Sequence, residues 1–312
     1  MVNIKVPESG VTYYGDRIIR IRDILIDKKA AVYIKKALQT IFGGLELSKH
    51  DLSEIISFII NSGKEYSTLR EYERSVHDFL EQKGVFKDFF IKVTDRAQKM
   101  FEISKPYLVG KKILDLGCGT GKIGAIAKSF GYDVTLVDVY KNPAIDKLNM
   151  PFIKITQDEK LPFKEMSFDN IFLFTMLHHT KNPLDTIEES RRVLKTGGRL
   201  HLIETVFGIK GKDSGRYYGL DDSEFKKLSK ETQRKVMIFF DYFGNHVTWY
   251  YTDDPEKFVP VPFNFTTPGR LKKLFEQNGF KIVHHQLMGI HDVSQTYHLH
   301  LVLEKMDKQV GQ

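Results

Sequence analysis

Three glycines in strict alternation close a short apolar run and open a helical stretch: Ile113-Leu114-Asp115-Leu116-Gly117-Cys118-Gly119-Thr120-Gly121-Lys122-Ile123-Gly124. Glycine is needed where the backbone takes positive φ or where a ligand must touch the main chain. The run contains Gly119-x-Gly121-x-x-Gly124, the literal dinucleotide pattern, so a nicotinamide dinucleotide is one reading. A phosphate-binding P-loop does not fit, because Lys122 is followed by Ile123 and position 116 is Leu.

Two carboxylates sharpen the choice. Asp115 stands inside the strand end, two residues before the first glycine. A carboxylate there repels a pyrophosphate and suits a ligand presenting an ammonium group. Asp138 closes the next strand, 23 residues later, where an acidic side chain accepts both hydroxyls of a ribose. The second feature fits either cofactor; the first favours S-adenosylmethionine over NAD.

Positioning these residues requires an α/β framework. From Lys111 short apolar runs alternate with helical stretches, the pattern of βαβ units and a parallel sheet. Strands are expected at Lys112–Leu116, Val134–Asp138, Phe152–Ile155, Asn170–Phe174 and Arg199–Glu204, with helices at 121–130, 142–148 and 183–195. Thr267-Pro268 then opens a helix ended by Gly279, and Phe280–Leu287 and Tyr297–Leu303 form an antiparallel pair. Residues 17–107 are expected to be helical throughout: a stretch from Ile18 stopped by Gly43-Gly44, Asp51–Asn61 ended by Gly63, a helix opened by the capping box Thr68-x-x-Glu71, and about Phe86 to Tyr107. The expected fold is α/β: a Rossmann-like, seven-stranded, mostly parallel sheet with an antiparallel last strand, an N-terminal helical region and an aromatic-rich insertion. The expected divisions are 1–108 (helical cap region), 109–205 (cofactor-binding core), 206–265 (insertion), 266–306 (helix and strand pair completing the core) and 307–312 (tail).

Asp115-x-Gly117-x-Gly119-x-Gly121, the strand ending in Asp138, Leu161-Pro162-Phe163 before Ser167-Phe168-Asp169, Leu177-His178-His179, and Arg192-Val193-Leu194-Lys195-Thr196-Gly197-Gly198-Arg199 together resemble the class I S-adenosylmethionine-dependent methyltransferases, in the subgroup related to the ubiquinone and menaquinone methyltransferases. The motifs span about residues 110–205. The resemblance implies S-adenosylmethionine as cofactor and S-adenosylhomocysteine as product. It implies that Gly117, Cys118, Gly119 and Gly121 line the methionine and ribose portion, that Asp115 orients the ammonium end, and that Asp138 holds the ribose hydroxyls with Val139 beside the adenine. Thr175 and Leu177 join that lining. The adenine amino group falls to Gln157 or Asp158, since Gln157 stands where relatives carry Asp. Cys118, despite its place at a helix N-terminus, is read as small filler rather than a nucleophile. His178 and His179 are the candidate general bases, because they follow a strand next to the cofactor and imidazole titrates near neutrality.

The acceptor is read from the surroundings. The 60 residues of 206–265 hold 14 of the chain's 38 aromatics, either a lining for a largely apolar small molecule or lipid-like acceptor taking O- or C-methylation, or a small satellite core. The alternative functions are methylation of a transfer-RNA wobble uridine and a non-catalytic cofactor-binding protein. The net charge of +7 is spread along the chain rather than gathered into a block, which argues against nucleic acid. A single cysteine among 312 residues excludes an internal disulfide and a cysteine zinc site and makes a reducing cytoplasm the default. His284-His285 and His298-x-His300 lack a carboxylate cluster, so no metal is expected. Asp221-Asp222 and Asp253-Asp254 read as solvated turn or cap residues. No apolar window is long enough to span a membrane. The lysine-rich 28–42 stretch is read as packing on neighbouring helices, with peripheral membrane contact as the competing reading.

Overall fold

A computed structural model describes residues 11–14, 17–86, 91–156, 160–211, 215 and 217–307. The chain divides into two units. One comprises Met1–Val93, Val206–Phe265 and Met288–Tyr297; the other comprises Thr94–Thr205, Thr266–Leu287 and His298–Gln312.

The first unit begins with a hairpin, β1 (Val11–Tyr14) paired antiparallel with β2 (Arg17–Arg20), Tyr14 opposite Arg17. The expectation of helix from residue 17 is corrected here: Ile18 and Ile19 belong to a strand, because Val-Thr-Tyr-Tyr supplies a β-favouring partner that a helical-spacing reading did not weigh. Helices α1 (Ile21–Ile26), α2 (Lys28–Phe42), α3 (Lys49–Glu65) and α4 (Leu69–Gln82) follow. Asp27 caps α2 by accepting from the Lys29 and Ala30 amides and is also held by Lys235 at 2.7 Å. The apolar face of α2 (Ala30, Ile34, Ala37, Leu38, Ile41) is buried, as the packing reading expects. The capping box of α4 is formed from both sides by Thr68 and Glu71. Gly63 does not end α3: it lies inside the helix, where a Cβ would stand 2.3 Å from Leu25 and 3.2 Å from Tyr72. Its small size, not its flexibility, is what the packing uses.

Within 206–265, α8 (Ser223–Lys227) and α9 (Lys230–Tyr242) lead into a π-helical turn, Phe243–Thr248. Eight of the 14 aromatics are buried, Phe225, Phe239, Tyr242 and Phe263 completely. They pack on one another and on their own unit: Phe225 against Tyr33 and stacked on Tyr297, Phe239 on Phe243, Tyr242 on His246. Gln233 ties the segment together by accepting from the Gly208 and Ile209 amides and donating to the Ile209 and Phe225 carbonyls. Of the two readings of this aromatic segment, these eight side chains follow the satellite core. Asp222 departs from its expected solvated role: it is 1% exposed and accepts from the Tyr297 hydroxyl at 2.9 Å.

The second unit is built on a seven-stranded sheet of order β5-β4-β3-β6-β7-β9-β8. Its strands are β3 (Lys112–Leu116), β4 (Asp133–Asp138), β5 (Phe152–Lys154), β6 (Phe168–Phe174), β7 (Leu194–Thr205), β8 (Phe280–Ile290) and β9 (Tyr297–Lys305). β3 pairs parallel with both β4 and β6, β6 parallel with β7, and β9 antiparallel with β7. The Rossmann-like expectation is therefore met, antiparallel strand included. Parallel strands buried on both faces read as continuous apolar runs, which is why β3 and β6 were legible. β7 starts five residues earlier than expected, through a register shift after its first pairing, Leu194 with Phe168. The helices α5 (Ile91–Ser104), α6 (Lys122–Ser129), α7 (Pro183–Val193) and α10 (Pro268–Gln277) complete the described elements used below. Strand order reverses at β3, whose successors lie on both sides of it, and ligands of doubly wound sheets bind beyond the strand ends at such a switch point.

Candidate active site

The glycine loop leaves β3 at that switch point. Gly117, Gly119 and Gly121 have φ of +76°, +53° and +72°, a conformation closed to most side chains. Space forbids them too: a Cβ on Gly117 would lie 2.8 Å from Met176, and one on Gly121 2.7 Å from Leu148. The loop is pinned by the Gly117 and Cys118 amides, which donate to Val137 O at 2.8 and 3.1 Å.

Asp138 ends β4 and curls onto the same loop. Its carboxylate accepts from the amides of Gly119 (2.8 Å), Val139 (2.7 Å) and Tyr140 (3.4 Å). Asp115 is 3% exposed and accepts from the Gly124 amide at 3.1 Å. Burial pushes the Asp115 carboxyl up to about 7, and the neighbouring Asp138 charge adds to the shift against the Gly124 bond. Burial raises Asp138 also, against its three amide donors. The Cys118 thiol is pushed far up by burial and by both carboxylates, so it holds its proton, in keeping with the filler reading and against a nucleophile.

This donor set tests the cofactor. A buried carboxylate, Asp115, and a half-buried one, Asp138, beside a backbone cradle oppose a pyrophosphate and accommodate a cation together with hydroxyl donors. Asp115 accepts from the Gly124 amide, and an ammonium beside it would favour the charged form that burial opposes. A ligand carrying an ammonium and a ribose fits these residues.

A second group of expected residues follows β6. Thr175 has φ +51°, rare outside glycine and a mark of stored strain at functional sites. Its amide donates to Ile203 O at 2.6 Å and its hydroxyl accepts from Arg96 at 3.1 Å. Met176 packs on Gly117, which joins this segment to the glycine loop. Leu177–His179 is a 3₁₀ turn in which Leu177 and His178 are buried. The His178 and His179 rings lie 4.0 Å apart, and His178 Nδ1 is hydrogen-bonded to Glu204 Oε1. Glu204, at the end of β7, was not singled out by the sequence reading. Its signal was available: an acid in the last turnout of a buried strand parallel to the one preceding the histidines. Gln157 and Asp158 lie outside the described residues.

Elsewhere in this unit His284, His300 and Tyr107 form an aromatic stack, with ring separations of 4.6 Å (Tyr107–His284) and 5.4 Å (His284–His300), and Tyr107 Oη lies 3.0 Å from His284 Nδ1. Of these histidines His300 is buried and His284 half-buried.

A family model described as a methyltransferase domain matches residues 114–202, which contain the whole glycine loop and the histidine turn. The chain is similar to an uncharacterised protein of Methanocaldococcus jannaschii, 35% identical over 131 residues, 41% of this chain and 58% of that protein. It is also similar to a ubiquinone biosynthesis O-methyltransferase of Pseudomonas aeruginosa, 26% identical over 149 residues, 45% of this chain and 63% of the relative. A third relative is a tRNA U34 carboxymethyltransferase of Methylococcus capsulatus, 34% identical over 124 residues, 35% of this chain and 38% of the relative. The chain thus spans less than two thirds of each relative's length. Among the described residues, no helix is long and apolar enough to cross a membrane.

Proposed function

We propose that the protein is an S-adenosylmethionine-dependent methyltransferase whose acceptor is a largely apolar small molecule. The observation that carries this reading is the buried Asp115 and the half-buried Asp138 beside a glycine loop within the residues that match a methyltransferase domain. The ubiquinone O-methyltransferase relative supports a small-molecule acceptor. The tRNA carboxymethyltransferase relative favours RNA as the second reading, against which stands the even spread of basic residues.

In this reading Asp115 faces the cofactor's ammonium group, Asp138 its ribose, and Gly117, Gly119, Gly121, Val139, Thr175 and Leu177 its remaining surface. When bound, S-adenosylmethionine supplies an activated methyl group on a sulfonium. The protein's main task is alignment, worth up to about 7–11 kcal/mol in well-oriented systems. His178 serves as the general base for an acceptor whose proton must leave.

Calorimetric titration of the full chain with S-adenosylmethionine, S-adenosylhomocysteine and NAD tests the reading. The expected result is micromolar binding of the first two, near −8 kcal/mol, abolished in Asp115→Ala. Tight NAD binding, or a folded protein that binds none of the three, overturns it. Radiolabelled methyl transfer to hydrophobic phenols, rather than salt-sensitive transfer to bulk tRNA, then separates the two acceptor readings.

A further inference from the structure

Packing accounts for the apolar side of α2; the opposite side faces outward with a composition of its own. There Val32 is 72% exposed. Lys28, Lys29, Lys35 and Lys36, all exposed, stand at i−4, i−3, i+3 and i+4 from it, the positions that neighbour a residue on a helix surface. Four lysines thus surround one aliphatic side chain within about 12 Å of helix axis. α2 contains no acidic residue, and among the described residues none of the four lysines forms an ion pair. Of the acids that reach this side, Asp27 is bridged to Lys235 at 2.7 Å, and Glu224, whose charge senses Lys36, is bridged to Lys227. Ile26, 59% exposed, precedes the Asp27 cap. Helix stability does not explain this placement. Lys28 and Lys29 occupy the first turn, where the positive end of the helix dipole disfavours cations, and the last turn holds no basic residue.

We propose that this side of α2 is a docking surface for an anionic lipid membrane, with Val32 at the headgroup level among four lysines that meet the lipid phosphates and carboxylates. The attachment is not the insertion of an amphipathic helix, because the apolar face of α2 is already buried. It is a reversible, peripheral contact, held by charge. Near an anionic leaflet each lysine strengthens binding about fivefold, and the four act within about one Debye length at 0.1 M salt. Nucleic acid is the other polyanion of this kind, and two features disfavour it. The centre of the face is aliphatic, where a single strand asks for an aromatic to stack its bases. Its cations are lysines, where phosphate recognition favours the bidentate guanidinium. Lysine suits a lipid surface, since its stem lies along apolar groups while its head stays in the polar layer. The helix belongs to the helical unit, outside residues 114–202, so the proposal goes beyond the functional reading and stands apart from it. What it adds is a place, the membrane surface, where a largely apolar acceptor is concentrated.

Co-sedimentation of the full chain with phosphatidylcholine vesicles, with and without about one third phosphatidylserine, tests it. The expected result is binding to the mixed vesicles and none to the neutral ones, lost as salt rises from about 0.1 M to about 1 M. Lys35→Gln with Lys36→Gln should weaken binding about 25-fold, and Lys28→Gln, Lys29→Gln, Lys35→Gln and Lys36→Gln together at least 100-fold, at about fivefold per lysine. The charge-matched pair Lys154→Gln with Lys273→Gln, both exposed in the sheet unit, should bind as the wild type does. Unchanged urea midpoints show that the variants fold. A blank on both vesicles overturns the proposal, as does equal binding to the neutral ones or an equal loss in the control pair. Retention of bulk tRNA that depends on the same four lysines, with vesicles blank, gives the surface to nucleic acid and overturns the lipid assignment. Titration with S-adenosylhomocysteine should not distinguish the four-lysine variant from the wild type. A failure of docking therefore leaves the cofactor reading intact, and a wild type that binds no cofactor leaves the docking result intact.

Discussion

Each unit buries a carboxylate, and the two are treated in opposite ways. Glu73, in the helical unit, is 3% exposed and surrounded by donors: Arg70 at 2.7 Å, the Tyr242 hydroxyl at 2.7 Å and His246 at 3.3 Å. Burial opposes its charge, but His246, Arg70 and Tyr242 together hold it below the ordinary glutamate range. Asp115, in the sheet unit, is as deeply buried, bonded to the Gly124 amide and beside a second carboxylate, and sits high at about 7. A buried acid that is fully partnered holds structure together. One left short of partners is strained until a ligand completes it, and such groups concentrate at functional sites.

The largest effect should come from cutting the partnered acid. Glu73→Ala leaves Arg70, Tyr242 and His246 without a shared acceptor and is expected to cost about 3–5 kcal/mol, read from the urea unfolding midpoint. A loss below about 1 kcal/mol would place Glu73 with the marginal surface pairs and break the contrast.

Asp115→Asn should do the reverse. The folded acid keeps its proton to about pH 7, whereas the unfolded one releases it near the ordinary aspartate value of 3.8. Across that window the folded state binds more protons, so wild-type stability falls as pH rises. The variant escapes this penalty. Without cofactor, it should gain up to about 4 kcal/mol over the wild type at pH 8, with no gain at pH 4, while losing at least 100-fold in cofactor affinity. Thermal melts at the two pH values, with and without S-adenosylhomocysteine, check both halves.

Buried histidines in the same sheet unit give an opposite slope. Burial holds His201 well below its ordinary value, and His300 at about 3. The unfolded chain takes up protons near 6.5 while the folded one does not, so stability drops as pH falls from 6.5 toward 3. About 2 kcal/mol per histidine should be gone by pH 5. Measuring this in the Asp115→Asn background removes the carboxylate's opposing contribution; a flat profile there between pH 7 and 5 contradicts the burial argument. The smallest effect belongs to the helical unit's surface: Thr68→Ala removes the α4 cap and should cost about 1 kcal/mol, with cofactor affinity unchanged.

Much was determined by the sequence alone because the determinants are local. Strand, sharp turn and helix lie within 12 consecutive residues of 113–124, and alternating glycines admit few backbone paths. The capping box of α4 and the continuous apolar runs of β3 and β6 are legible for the same reason: each depends on neighbours in the chain or on burial of both sheet faces. What the sequence could not determine are relations that cross long stretches of chain. Gly63 reads as a helix stop until Leu25 is seen packed on it. Asp222 reads as a solvated cap until Tyr297, 75 residues on, reaches it. The aromatics of 206–265 have the composition of a ligand lining, and only their mutual packing reveals eight of them as core. The proton on Asp115 belongs to the same class. Residue type supplies a titratable group, but its charge state depends on water excluded by distant segments, as burial shows for Asp115.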